Sequence, residues 1–212
     1  MPLYQKLRLA CQMLEREFDQ IPQARKAQLR ELGAYIHAKI QTGAPARLTV
    51  ICTHNSRRSH IGQLWLKAAA VFYGLGKVET YAGGTEATAF NPRAVEAMRK
   101  AGFAIAKISD GGNPRYEARL GEDLPSQMLF SKKFSDEPNP QKGFAAVLVC
   151  SDADEACPFV PGADGRFAIP YEDPKMFDGT PLESKAYDER CRQIGREMLF
   201  AMSQARAKLA VQ

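Results

Sequence analysis

The stretch from Arg47 to Leu75 restricts the possible folds of this chain more than any other. It opens with Leu48, Val50 and Ile51, a short apolar and partly β-branched run that predicts a buried strand. It closes with Ile61, Leu64, Trp65, Ala68, Phe72 and Leu75 at the spacing of one apolar helix face. Between them lies Cys52-Thr53-His54-Asn55-Ser56-Arg57-Arg58-Ser59, a loop that begins on a cysteine and runs into a helix start. A helix start leaves its first N–H groups unpaired and carries a partial positive charge, so it attracts anions. Arg58 at its mouth adds a planar fork of donors suited to a tetrahedral oxyanion. A thiol in such a field ionises readily, because its thiolate is itself an anion. The loop therefore combines a nucleophile, Cys52, with an oxyanion cradle formed by Thr53, His54, Asn55, Ser56, Arg57, Arg58 and Ser59.

A bare Cys-x5-Arg spacing arises by chance often enough to mean little, and the flanking strand and helix are what give it weight. The competing reading is a buried cysteine at a strand end beside two surface arginines. In its setting, the segment resembles the phosphate-binding loop of the low-molecular-weight protein tyrosine phosphatases and their relatives, the thioredoxin-coupled arsenate reductases. Asn55, Arg58 and Ser59 match that pattern, whereas His54 stands where those families usually have glycine and Arg57 where a second cysteine often sits.

The rest of the composition fits an ordinary globular protein. With 212 residues, the chain is long enough for one good core and an appendage. No apolar run approaches the roughly 18 residues of a membrane span, and charges interrupt Met1 to Phe18, so no membrane partner and a cytoplasmic location are expected. A net charge of +5 suits an anionic ligand, but the basic residues are dispersed and no aromatic-basic stripe points to nucleic acid. Five cysteines without a C-x-x-C pair, and only three histidines, argue against a zinc site, and neither a metal nor a cofactor is expected.

Upstream of the loop, residues 2 to 41 read as two amphipathic helices broken at Ile21-Pro22, with Cys11 on an apolar stripe. Residues 1–46 are expected to form a helical extension and residues 47–212 the main α/β domain. Downstream, Val78 to Ala82 predicts a second strand, and Asn91-Pro92 starts a helix with Asn as N-cap and Pro in the first turn. Strand–helix–strand–helix alternation implies a parallel sheet covered on both faces. The resemblance makes that a four-stranded parallel sheet in flavodoxin-like order. Residues 103–144 are read as an insert containing a hairpin, with strands near Tyr116–Leu120 and Met128–Phe134.

Ala145 to Val149 predicts a further buried strand that ends at Cys150. In a parallel sheet the C-terminal strand ends share one edge, where ligands bind, so Cys52 and Cys150 should face one crevice. Cys157 follows seven positions later, a distance that would span roughly 24 Å if extended. A disulfide requires Cα atoms within about 7 Å, so the segment must coil back or move for the two to pair. On spacing alone, packing and redox roles are equally supported. Cys191, on the apolar face of the last helix, is expected to pack.

The resemblance carries further implications. A Ser-Asp-Ala-Asp stretch between two cysteines resembles the redox segment of the arsenate reductases, which would make Cys150 and Cys157 the second and third relay cysteines. Asp173-Pro174 resembles the loop that supplies the general acid in both families. The implied activity is reduction of arsenate to arsenite by Cys52, with Arg58 binding the oxyanion, Asp173 as acid and thioredoxin as reductant. The alternative is a phosphomonoesterase working through a phosphocysteine with Cys52, Arg58 and Asp173 alone, although Lys175 and Met176 stand where tyrosine phosphatases usually carry aromatic residues. A binding protein that senses anions or oxidants through Cys52 is the third possibility.

Overall fold

The computed structural model describes residues 2–156 and 159–209, so Cys157 lies outside the described residues. Four parallel strands form the central sheet: β1 (Ala46–Cys52), β2 (Val78–Gly84), β6 (Phe144–Leu148) and β7 (Ala163–Ala168), in the order β2-β1-β6-β7. Strand β1 is central, with Val50 opposite both Ala82 and Val147. Six of its seven residues are buried, as are all of β6, which is why both read as apolar runs rather than alternating patterns. The edge strand β7, Ala-Asp-Gly-Arg-Phe-Ala, has no fully buried residue and carried no strand signature in the sequence.

Helices cover the sheet. The loop after β1 feeds α3 (Arg58–Phe72), and α4 (Pro92–Lys100) follows β2 with the Asn91 side chain capping the Arg93 amide at 2.9 Å. The long α6 (Glu183–Leu209) packs against α3, and the upstream helices α1 (Gln5–Glu15) and α2 (Gln23–Gln41) pack against α6. Only glycine permits the α2–α6 approach at residue 33, where a Cβ would lie 2.7 Å from the Ala201 carbonyl oxygen. Cys11 and Cys191 sit in this core, and burial pushes both thiols up to about 12. At the start of α6, Thr180 caps the Leu182 amide, while the Glu183 carboxylate reaches back to the Gly179 amide at 2.7 Å. No helix among the described residues is long and apolar enough to cross a membrane.

The insert builds more than a hairpin. Strands β4 (Tyr116–Arg119) and β5 (Gln127–Leu129) do pair antiparallel, but β3 (Ala104–Lys107) joins them as the third strand of a second sheet, β3-β4-β5. Strand β3 shows no alternation that could have announced it, since Ile105 is its one buried residue. Beyond β5 the chain leaves the small sheet, and residues 131 to 134 return to the end of β2. There the Gly84 amide donates to the Lys132 carbonyl at 2.9 Å and the Phe134 amide to the Gly84 carbonyl at 2.9 Å. The insert thereby lies against the loop that follows β1.

Candidate active site

Cys52 ends β1, and after five intervening residues α3 begins at Arg58. Four of the loop's carbonyls are bonded to neighbouring segments. Those of Cys52 and Thr53 accept from the Thr85 and Glu86 amides at 3.1 and 2.8 Å, and that of Ser56 from the Asn91 amide at 2.9 Å. The His54 carbonyl accepts from the Ser131 and Thr88 hydroxyls at 2.9 and 3.2 Å. By contrast, the amides of residues 53–57 donate to no acceptor among the described residues. A loop with most of its acceptors engaged by neighbouring segments and its amide donors left over is suited to receive an anion.

The bend this requires is held by Asn55, whose φ of 45° lies in the left-handed region. Its buried side chain donates to the Ser59 hydroxyl at 2.8 Å and accepts from the Lys132 amide at 2.9 Å. Ser59 in turn lies 3.1 Å from the Cys52 sulfur, where its hydroxyl can donate to a thiolate. Residue 84 must be glycine here: a Cβ would stand 2.5 Å from the Thr53 carbonyl oxygen and 2.7 Å from the Asn55 amide nitrogen.

Arg58 is nearly buried and directed into a cleft of about 730 Å³ walled by Ser151, Asp152, Asp173, Met176 and Phe177. One guanidinium nitrogen donates to the Tyr171 carbonyl and another to the Asp173 carboxylate, each at 2.7 Å. Asp173 caps a short turn at Pro174–Phe177 by accepting from the Lys175 amide at 3.0 Å. Arg57 points away from the loop's interior. Its Nε donates to the Tyr187 hydroxyl at 3.0 Å, and another nitrogen lies 3.7 Å from Asp173. Tyr187 donates to Asp178 at 2.9 Å, and its pKa is pushed up to about 12 by burial first and by that bond second. His54 is half exposed, 3.6 Å from Glu86, so what residue 54 offers the cradle is its backbone.

Cys150 lies just beyond β6, beside the same loop, with its sulfur 3.5 Å from the Thr53 hydroxyl. The structure thus gathers Cys52, Arg58, Asp173 and Cys150 at one edge of the sheet. Six residues of helix, α5 (Ser151–Ala156), lead from Cys150 toward Cys157.

Sequence reasoning passed over two buried basic groups behind the loop. Lys132 is 5% exposed; burial lowers its pKa to about 8, with the Asp136 charge opposing. Its ammonium sits 4.8 Å from the Phe130 ring centre. His60 is fully buried against Phe90, and burial with the nearby Lys132 charge pushes its pKa down to about 3. The first lay within the stretch expected to form a strand, Met128–Phe134, and nothing local marked either as buried.

No family model matches the chain. Among curated proteins it is similar to the arsenate reductase of Bacillus licheniformis, 31% identical over 150 residues that cover 70% of this chain and 88% of the relative. The arsenate reductase of Bacillus subtilis is 28% identical over 149 residues, with the same coverage. Among solved structures, a low-molecular-weight protein tyrosine phosphatase from T. tengcongensis superposes with a TM-score of 0.51 at 18% identity, over 74% of this chain and 98% of its own. A YwlE arginine phosphatase mutant with a phosphorylated active-site serine superposes with a TM-score of 0.52 at 15% identity, over 78% and 99%. The chain therefore belongs to the arsenate reductase family, enzymes built on the fold of the low-molecular-weight protein tyrosine phosphatases.

Proposed function

We propose that this protein reduces arsenate to arsenite through a relay of Cys52, Cys150 and Cys157, with thioredoxin as the reductant. The observation that carries this reading is the second sulfur: Cys150 stands 3.5 Å from the hydroxyl of Thr53, the residue next to Cys52. Phosphate-ester hydrolysis has no use for a thiol there, whereas reduction requires one.

Arsenate would enter the amide cradle and compete with Asp173 for the Arg58 guanidinium. The Cys52 thiolate attacks arsenic, and Asp173, once it has taken a proton, passes it to the departing oxygen, which leaves as water. Cys150 then attacks the Cys52 sulfur; a sulfur–sulfur bond forms, the sulfur–arsenic electron pair stays on arsenic, and arsenite leaves. Cys157 attacks Cys150, returning Cys52 as a thiolate. Thioredoxin, itself oxidised to a disulfide, reduces the Cys150–Cys157 bond.

One feature favours a second reading, phosphomonoester hydrolysis by Cys52, Arg58 and Asp173. The cleft of about 730 Å³, walled by Met176 and Phe177, is far roomier than a four-oxygen anion needs. Arsenate-dependent NADPH oxidation, coupled through thioredoxin and its reductase, separates the two, with aryl phosphate hydrolysis run in parallel. Under the relay, Cys150→Ser and Cys157→Ser each end arsenate turnover. Arsenate reduction that survives either change rules the relay out, and aryl phosphate hydrolysis that survives both identifies the esterase.

A further inference from the structure

The loop that carries Asp173 is gripped from two sides, and the grip from behind comes from the upstream helix α2. Arg25, in the first turn of α2, has a side chain only 16% exposed. Its Nε lies 3.1 Å from the Glu197 carboxylate on α6, and one terminal nitrogen donates to the Pro170 carbonyl. Its guanidinium carbon also stacks 5.0 Å from the centre of the Tyr171 ring. The carbonyl of that same Tyr171 holds Arg58 at 2.7 Å, and Asp173, two residues on, holds it again at 2.7 Å. Residues 170–173 are thus clamped between one arginine that faces the anion site and another that never reaches it.

The partners of Arg25 are costly to assemble. Glu197 is 2% exposed, and beyond the ion pair it accepts a bond from Gln193 at 3.2 Å. A buried carboxylate of this kind is strongly destabilising without its cation, and an apolar pair would serve stability as well or better. What the pair provides that an apolar pair cannot is direction: a planar fork that binds a carbonyl, a carboxylate and a ring face together. We infer that Arg25 is a positioning residue for the oxyanion site, fixing the Pro170–Asp173 segment so that Arg58 is presented to the anion at a set angle.

The inference rests on Arg58 being an anion-binding group, so its test reads anion binding directly rather than turnover. In the full-length protein, Cys52 is alkylated with iodoacetate or with iodoacetamide, and the modified Cys52 peptide is quantified by mass spectrometry. The ratio of the two rates reports the cationic cradle, and it is compared only where urea denaturation shows the variant fully folded at the assay condition, because reaction through an unfolded chain carries no anion preference. The wild type is expected to prefer iodoacetate, and Arg58→Ala to lose that preference. An R25M/E197Q double variant, which strands no buried charge, is expected to lose about tenfold of it, in line with the effect of misplacing a site group by a fraction of an ångström. Arg25→Lys keeps the charge on Glu197 while giving up the planar stack, and should lose about threefold. A wild type without preference overturns the reading of the loop and this inference with it. A wild-type preference retained in full by both variants overturns the role of Arg25 alone. If the double variant does not fold, Arg25→Lys decides the matter in the same way.

Discussion

At one edge of this sheet β1 ends in Cys52 and Cys150 follows β6 by two residues, and the protein treats the two ends differently. From Cys52 on, residues are tied through their carbonyls to the segment just after β2, to the N-cap of α4 and to the insert, and the chain enters a 15-residue helix. After Cys150 comes a helix of six residues in which Ala153 is buried while Ser151, Asp152 and Glu155 are exposed. That short helix is tied down by the Asp154–Arg166 pair at the edge strand. Local stability follows buried contacts and protected hydrogen bonds, so the first end is expected to be the more rigid and the second to open more readily. The contrast suits the proposed relay, in which the nucleophile must stay aligned with its cradle. Its partner must reach Cys52 first and a third sulfur afterwards.

The strongest way to break this contrast is to remove each sulfur. On the proposed chemistry, Cys52→Ser should lower arsenate reduction, and any aryl phosphate hydrolysis, by more than about 10³-fold, because it removes the proposed nucleophile. Circular dichroism and urea denaturation should show the fold retained. A Cys52→Ser protein that still turns over either substrate within tenfold of wild type would move the chemistry away from the rigid end.

How much of this was readable from residue order follows the same divide. The Cys52 loop was legible because strand, loop and helix are contiguous and each has its own pattern. Convergence of Cys52 and Cys150 was legible too, since parallel strands align their ends. The position of Asp173 came only through resemblance, because nothing local distinguishes one Asp-Pro turn from another. The Tyr171 carbonyl that holds Arg58, and the Lys132 amide that holds Asn55, are backbone groups, and backbone groups carry no residue signature. Strands β3 and β7 escaped for a simpler reason, since each buries too little to show a period.

Lys132 sharpens the picture of the rigid end, because that end is rigid at an energetic cost. A lysine whose pKa falls from 10.5 to about 8 on folding loses about 3 kcal/mol of stability while both states are protonated. Between pH 8 and 10.5 the unfolded chain binds more protons than the folded one, so stability rises with pH across that window and the penalty fades. Lys132→Met should therefore be more stable than wild type at pH 7, by about 2–3 kcal/mol in urea denaturation. The gain should shrink toward zero near pH 10.5. A Lys132→Met protein that is less stable at pH 7 would mean that the ammonium has a partner worth more than its desolvation.

A smaller effect isolates the bend. Asn55→Ala removes the acceptor of the buried Lys132 amide and places an ordinary side chain at φ 45°. Asn55→Gly removes the same acceptor but relaxes the backbone. The glycine variant should be the more stable of the two by about 1 kcal/mol, with both below wild type. Equal stabilities would show that the left-handed turn is held by the surrounding bonds alone and not by the residue that occupies it.

The smallest change expected is at the other end. Asp154→Ala removes the carboxylate that pairs with Arg166 and leaves the bond to the residue-154 carbonyl, and each side chain of that pair is about one-third exposed, 32% and 33%. Pairs so open to solvent contribute less than about 1 kcal/mol, so global stability should hardly move. The amides of α5 should nevertheless exchange with solvent faster than in wild type, while those of α3 keep their protection. A loss of 2 kcal/mol or more, or α5 amides as protected as those of α3, would make the segment after Cys150 as integral to the fold as the loop after Cys52. The relay would then need another way to carry a sulfur from one partner to the next.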